Sequence, residues 1–316
     1  MKLLQRLFLA AMLFTFPCIF ANSQQTEFSA VENPTIPTKV QFAGQTISFD
    51  RIDMYERLDR ELTSMAYTHG TTLLLIKRAN KYFPIMAPIL KKHGVPLDIL
   101  YLACIESTLD IRAYSPAKAA GLWQFIASTG KQYGLEINEY VDERYNIEKA
   151  TEAACKYLKK AYAEYGNWET VMASYNAGRA GISKRLESQL ATSSFDLHLV
   201  EETSRYVFRI IAAKLIMENP AKYGFNLAQE NLYFPVEYKT VEVNGSVDDW
   251  AVWAKNHGIT YAQLREHNPW IRSSKLVNET TKRRQAKTYK VKIPLKKDLY
   301  RSSLQQKVYN PNWVSK

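Results

Sequence analysis

The chain has 316 residues, of which 46% are apolar and 12% aromatic, and this composition excludes general disorder. Its length suits two folded units plus tails. The formal net charge of +11 is unevenly placed, because residues 236–316 hold sixteen basic and seven acidic residues whereas residues 24–235 are balanced. The basic character therefore belongs to the C-terminal unit.

The first 23 residues have the pattern of a secretory signal peptide. Two basic residues precede an apolar run over residues 7–20, and small residues close the segment. A transmembrane anchor is the alternative, but the run is shorter than the roughly 20 residues that a spanning helix needs. Cys18 does not follow a lipoprotein-type motif, so lipidation is not favoured. We expect export to the periplasm or cell envelope, with outer-membrane association left open.

Residues 24–50 are polar and contain two prolines, which predicts a flexible leader. Residues 51–225 are then expected to form a mainly α-helical domain, because apolar residues recur at spacings of three and four and no convincing strand occurs. The second helix is expected to bend or break at Pro84 and Pro88. The predicted helices are 53–67, 71–89, 97–106, 125–133, 146–165, 168–175 and 203–217.

The composition of the sequence changes after Pro220. Residues 236–243 and 288–293 alternate like strands, and two segments between them have helical spacing, 247–257 and 260–268. This order predicts a small β-α-α-β domain over residues 236–295, followed by a basic tail over residues 296–316. The expected fold class is α+β overall.

Glu106 is the candidate catalytic residue. Nine mostly apolar residues lead into it, so it should lie at the end of a buried helix, where desolvation raises a carboxyl pKa above about 4.3. Such a group can act as a general acid near neutral pH. A second carboxylate is harder to find, because Asp110 is only four residues away on an expected loop and Asp98 lies two helical turns back. The sequence offers one convincing catalytic carboxylate.

Four short motifs follow one another with plausible gaps. They are Glu106-Ser107, Ser115 with Gly121-Leu-Trp-Gln124, Tyr175-Asn176-Ala-Gly178, and Glu202-Thr-Ser-Arg-Tyr206. Over about residues 85–217 they resemble the lytic transglycosylase domain of the soluble lytic transglycosylase (SLT) type, which has a lysozyme-like fold. The overall plan is similar to that of the membrane-bound lytic murein transglycosylase D group, which adds LysM-type modules.

The C-terminal domain resembles a LysM-like carbohydrate-binding module. Asn268-Pro269-Trp270-Ile271 follows a helix as in such modules, and Tyr289-Lys-Val-Lys-Ile-Pro294 matches their closing strand. The basic insertion between these two segments is longer than the module requires, so its charge also suits a plain solvated face.

The resemblance implies a peptidoglycan lytic transglycosylase. In that family one glutamate protonates the bond between N-acetylmuramic acid and N-acetylglucosamine, and then acts as base while the muramyl C6 hydroxyl attacks C1. The product is a 1,6-anhydro sugar and no water is consumed. Because the substrate carries the nucleophile, no second carboxylate is needed. The alternatives are a hydrolysing muramidase and a non-catalytic peptidoglycan-binding scaffold.

The resemblance also implies a set of substrate-binding residues around Glu106. Tyr175 to Gly178 also suits a helix C-terminus, and Tyr206 also suits a core position. Trp123 replaces the methionine of many members and is expected to alter the shape of the cleft. The implied substrate-binding residues are Ser107, Ser115, Gln124, Tyr175, Asn176 and Tyr206.

The sequence shows no metal-ligand spacing, Ser/His/Asp set or phosphate loop, so no metal and no cofactor is expected. Cys104 and Cys155 fall in apolar helical patterns, which favours free buried thiols over a disulfide. Export argues against nucleic acid as a partner. Peptidoglycan glycan strands are the expected partner of a monomeric protein, with peripheral contact to the envelope or membrane through the basic C-terminal domain.

Overall fold

The computed structural model describes residues 32–280, 285–303 and 305–314. The expected signal peptide lies outside these residues, as does the first part of the leader. Within the described ranges no helix is long and apolar enough to cross a membrane.

Eight α-helices build the first part of the described chain, which confirms the expected mainly α-helical domain. One of them, α7, has no counterpart among the sequence predictions. The helices are α1 (Ile52–Tyr67), α2 (His69–Lys92), α3 (Leu100–Ser107), α4 (Ala127–Gln132), α5 (Ile147–Tyr165), α6 (Trp168–Ala177), α7 (Arg179–Ser188) and α8 (Glu201–Glu218).

Helix α2 runs without interruption through Pro84 and Pro88, where a bend or break was expected. Each proline removes one backbone hydrogen bond. The segment nevertheless buries Phe83, Met86 and Leu90 almost completely, and the packing of these side chains holds the helix together.

Helix α8 occupies the centre of the helical domain. It packs against α1, α3 and α6, and apolar side chains are buried on most sides of it. Such a helix is typical of a protein core. Its position brings one of its faces next to the end of α3.

The leader is structured from residue 39 onward, in contrast to the flexible segment expected over residues 24–50. Strands β1 (Lys39–Phe42) and β2 (Gln45–Ser48) form an antiparallel hairpin around Ala43 and Gly44, which both have a positive φ. Val40 and Phe42 alternate with polar residues and are buried in the main core. A short strand with two inward side chains carries too little periodicity to be recognised in the sequence.

The C-terminal region has the expected β-α-α-β order. Its elements are β3 (Tyr238–Val243), α9 (Trp250–Asn256), α10 (Tyr261–His267) and β4 (Tyr289–Pro294). The two strands pair antiparallel over their full length. Asp249 caps α9, and Thr260 forms a capping box with Gln263 at α10, which fixes both helix starts.

The two regions share a core. Val141 of the helical domain forms a β-bridge with Ile271, and both pack in the apolar cluster of the C-terminal region. The chain end then returns to the helical domain. Trp313 is 2% exposed, its ring centroid lies 5.9 Å from that of Phe83, and its Nε1 donates to the Met217 carbonyl at 2.5 Å. The segment predicted as a basic tail therefore contributes to the main core.

Trp313→Ala tests this tether. Removing a buried tryptophan leaves a cavity and an unpaired Met217 carbonyl, so the free energy of unfolding should fall by about 3–5 kcal/mol. The measurement is equilibrium unfolding in guanidinium chloride. Tyr300→Ala is the control, because Tyr300 belongs to the same segment but is 62% exposed, and it should cost no more than about 0.5 kcal/mol. Equal losses in the two variants would contradict a docked chain end.

Candidate active site

Glu106 lies in the last turn of α3, as the apolar run before it predicts. The helix ends at Ser107 and is followed by Thr108, whose φ of 50° lies in the left-handed region. Leu102, Ala103 and Cys104 are buried, so the helix is anchored in the core, whereas the Glu106 side chain remains partly exposed. The carboxyl group of Glu106 thus lies at the end of a helix whose preceding turn is buried in the apolar core.

The exposed part of Glu106 faces a cleft of about 720 Å³. Its walls come from the end of α3, the loop after Ser115, the end of α6 and the start of α8. Six of the seven residues predicted from the sequence lie together in this lining: Glu106, Ser115, Gln124, Tyr175, Asn176 and Tyr206.

Tyr206 of α8 is buried, and its hydroxyl donates a hydrogen bond to Oε1 of Glu106. Desolvation by the surrounding protein raises the pKa of Glu106 to about 7, while the bond from Tyr206 and the charge of Arg209 oppose that rise. The negative charge of Glu202 adds to the rise. The carboxyl group is therefore able to give up a proton, and to take one back, near neutral pH.

The loop between α3 and α4 is held by its own polar groups. Ser115 accepts a hydrogen bond from the backbone of Ala119 at 3.1 Å, and the Gln124 amide donates to the Gly121 carbonyl at 2.8 Å. A Cβ atom on Gly121 would lie 2.0 Å from the Arg144 carbonyl oxygen, so only glycine allows this close packing. Ser115 and Gln124 consequently reach the cleft from a fixed backbone.

Tyr175 and Asn176 lie in the last turn of α6 and line the cleft. The Tyr175 hydroxyl donates to the Trp123 carbonyl at 2.7 Å, and the Asn176 side chain accepts from the Thr203 hydroxyl at 2.8 Å. The pair therefore connects α6 to the loop and to α8. It lines the cleft and has a structural role as well.

Ser107 does not line the cleft, although it was predicted to bind substrate. It is buried, and its hydroxyl lies 3.0 Å from the Leu122 carbonyl and 3.1 Å from the Ala103 carbonyl, so it ties the loop to α3. Neighbouring residues on a helix point about 100° apart, which directs Ser107 away from the side of Glu106.

Trp123 also differs from the expectation that it shapes the cleft. Its ring is fully buried, and Nε1 donates to the Thr151 hydroxyl at 2.9 Å inside the core. Its contribution to the cleft is made by the backbone carbonyl that receives the Tyr175 hydroxyl.

Arg209 lines the cleft and has no counterpart among the predicted site residues. A signal for it exists in the sequence. Glu202, Tyr206 and Arg209 are spaced by four and three residues, which places them on one face of α8. The neighbouring helix α3 covers part of that face.

The two acidic residues considered as partners of Glu106 are elsewhere. Asp98 accepts hydrogen bonds from the Ala43 backbone at 2.5 Å and from Lys214 at 2.8 Å, and Asp110 lies 3.6 Å from Arg78. Neither lines the cleft. The second carboxylate among the lining residues that the structure describes is the exposed Glu202.

Cys104 and Cys155 are free and buried, which confirms the expectation of free thiols. Across the described ranges, no group of three or more His, Cys, Asp and Glu residues is arranged to hold a metal ion.

Comparison with known proteins places two segments of the chain in families. Residues 83–196 match the transglycosylase SLT domain, and residues 239–297 match the soluble lytic transglycosylase C-terminal LysM-like domain. The chain therefore carries an SLT-type transglycosylase domain followed by a LysM-like domain, as its motifs indicate. Tyr206 lies after the first matched segment.

One relative is membrane-bound lytic murein transglycosylase D of Escherichia coli, which is 30% identical over 235 residues. The match covers 70% of this chain and 48% of that protein, so the chain spans about half the length of the curated relatives it matches. Two solved structures of soluble lytic transglycosylases each give a TM-score of 0.36. The Pseudomonas aeruginosa protein is 19% identical over 43% of this chain and 24% of its own, and the 70 kDa Escherichia coli protein is 21% identical over 45% and 24%.

The titration of Glu106 is directly measurable by ¹³C NMR of its carboxyl carbon, with Glu106→Gln used to assign the signal. The inflection should lie near pH 7. Tyr206→Phe removes a donor that favours the charged form, so the inflection should move to higher pH by on the order of one unit. Tyr157→Phe is the matched control, because Tyr157 also lines the cleft but its hydroxyl donates to the Ser174 carbonyl. An inflection below pH 5 would contradict the desolvated site.

Proposed function

We propose that the chain is a peptidoglycan lytic transglycosylase in which Glu106 acts first as acid and then as base. The observation that carries the proposal is a desolvated carboxyl, with its pKa near 7, that lines a cleft of about 720 Å³ and accepts a hydrogen bond from a buried tyrosine. The matches to the SLT and LysM-like families support the same substrate class.

In the first step, protonated Glu106 donates its proton to the glycosidic oxygen between N-acetylmuramic acid and N-acetylglucosamine. The bond from C1 to that oxygen breaks, and N-acetylglucosamine leaves with a free hydroxyl. With a pKa of about 7, roughly half of the molecules hold the proton at pH 7, whereas an ordinary glutamate would hold it in less than about 1%. The hydroxyl of Tyr206 fixes one carboxyl oxygen and leaves the other for the substrate.

In the second step, the Glu106 carboxylate takes the proton from the C6 hydroxyl of the same muramyl sugar, and that oxygen bonds to C1. The ring closure yields a 1,6-anhydro end and restores protonated Glu106, so protons balance and water does not react. The nucleophile is intramolecular and gains from proximity. This chemistry accounts for a site in which Asp98 and Asp110 are engaged in other contacts.

A hydrolysing muramidase is the second candidate, and Glu202 is the observation that favours it. A retaining or inverting hydrolase uses two carboxyl groups across the cleft, and Glu202 is the second acidic residue in the lining. Its side chain is exposed, whereas that of Glu106 is partly buried. A non-catalytic scaffold is the third candidate, and it provides no reason for the raised pKa of Glu106.

The proposal extends to partners and location. Glycan strands of peptidoglycan would occupy the cleft of the SLT domain, and the LysM-like domain would contribute a second contact with the same polymer. This substrate requires export, in agreement with the signal-like residues 1–23. We retain the expectations of a monomer and of peripheral envelope contact through the basic C-terminal region.

Glu106→Gln tests the catalytic role. Glutamine keeps the shape but cannot donate the proton, so turnover of soluble glycan strands should fall at least about 100-fold. Mass spectrometry should find the products of the unmodified chain one water lighter than reducing ends. Glu202→Gln is the matched control and should retain turnover within about tenfold, since a base for water is not needed. Hydrated products, together with equal losses in both variants, would favour the hydrolase.

The pH dependence follows from the raised pKa. The first step needs protonated Glu106, so the cleavage rate should be highest below pH 7 and should fall tenfold per unit above it. None of the described residues that line the cleft is a histidine, so His198→Gln should leave the alkaline limb in place. The measurement is the initial rate on soluble glycan between pH 5 and pH 9. A limb that disappears with His198 would assign the titration to that residue.

A further inference from the structure

A second concave site lies beside the catalytic cleft, where the helical domain meets the LysM-like domain. It has a volume of about 610 Å³. We call it the arginine groove, because four of its eight lining residues are arginines. The lining consists of Arg112, Tyr114, Asp142, Arg144, Tyr145, Arg265, Pro269 and Arg272.

Two of the four arginines are neutralised within the protein. Arg144 is buried and forms a two-pronged ion pair with Asp142, with distances of 2.9 and 2.7 Å. Arg112 pairs with Glu266 of α10. These contacts hold the groove walls together. They leave little net positive charge on Arg112 and Arg144.

Arg265 and Arg272 are different, because within the described part of the chain neither has a carboxylate partner. Arg272 stacks on the Tyr145 ring, with its guanidinium carbon 4.5 Å from the ring centroid. Arg265 donates to the Tyr261 hydroxyl at 2.6 Å, while its Nε is buried without a hydrogen-bond partner. A buried unpaired donor costs free energy until an acceptor reaches it. Two fixed guanidinium groups with unused donors suit a planar anion such as a carboxylate.

The groove and the catalytic cleft lie on opposite sides of the same loop. Tyr114 lines the groove and its neighbour Ser115 lines the cleft. Arg144, at the back of the groove, donates to the carbonyl of Phe125, which lines the cleft. A group attached to a sugar in the cleft therefore needs to pass one loop to reach the groove.

We propose that the arginine groove binds a carboxylate of the peptide stem on the glycan strand in the cleft, so that the protein favours strands with stems. This proposal rests on the proposed function for its choice of substrate. A stem of four residues extends up to about 13 Å, enough to cross a loop, whereas the lactyl carboxylate of a strand without stems stays next to the sugar ring.

The test measures binding by the full chain carrying Glu106→Gln, which stops turnover. Three soluble strands serve as probes: strands with free stems, the same strands with stem carboxylates converted to amides, and strands freed of stems by an amidase. Strands with free stems should bind about tenfold more tightly than the amidated ones. Adding Arg265→Gln and Arg272→Gln should reduce this ratio of affinities from about tenfold to at most about twofold.

Lys239→Gln with Lys290→Gln is the matched control. Both lysines are exposed on the β3-β4 pair and outside the groove, so the pair removes equal charge and should leave the ratio unchanged. If thermal denaturation shows the double arginine variant to be unfolded, Arg265→Gln alone gives the same readout, with a smaller reduction expected.

Two results would overturn the proposal: an unchanged ratio in the arginine variants, or an equal loss of affinity for strands without stems, which would assign the contact to the lactyl group. Cleavage by the unmodified chain is followed separately on the same strands. Absence of products there rejects the proposed activity, whereas the binding ratio decides the role of the groove.

Discussion

The site depends on the hydrogen bond that the buried Tyr206 donates to Glu106, whose carboxyl is largely desolvated by the surrounding protein. Desolvation raises the pKa of the carboxyl, while the tyrosine and Arg209 oppose that rise by stabilising the ionised form, and the resulting pKa is about 7. The balance requires α3 and α8 to be packed side by side with the two groups at the same level. The buried face of α3 and the central position of α8 meet that requirement. The core of the helical domain is thus what sets the acidity of one surface group.

The loop between α3 and α4 is a second constraint, because it forms one wall of the cleft. Its conformation is fixed at two points where ordinary residues would not fit or would be strained. Gly121 lies against the Arg144 carbonyl, and Gln124 has a φ of 47°. Buried Arg144 then binds the carbonyls of Lys118 and Phe125 at 2.8 and 3.0 Å, which fastens the loop from behind. The LysM-like domain is joined to the segment that carries this arginine, because the Asp142 backbone donates to the Trp270 carbonyl at 2.9 Å.

The helices and the position of Glu106 could be predicted because apolar spacing and a nine-residue apolar run are local signals. The six predicted cleft residues that meet in space were recognised from motifs, since their convergence across α3, α6 and α8 is a property of packing. Failures occurred where a contact distant in sequence decides the outcome. Val40 and Trp313 are ordered by the helical core, and the buried hydroxyl of Ser107 has the Leu122 carbonyl as its partner from outside α3. These partners lie far away in the sequence, so the local pattern of residues does not indicate them.

The positive charge of the C-terminal region is distributed in a way that composition does not reveal. Part of it is used in ion pairs that join the domains, including Lys292 with Glu148 and Lys287 with Glu136. Such pairs orient the LysM-like domain and contribute little to a long-range field, because each cation faces a carboxylate. Arg265 and Arg272 keep their charge near the cleft instead. Under the proposed function, this distribution favours an action of the basic C-terminal region through specific positions beside the cleft over a uniform electrostatic anchor with its +9 charge.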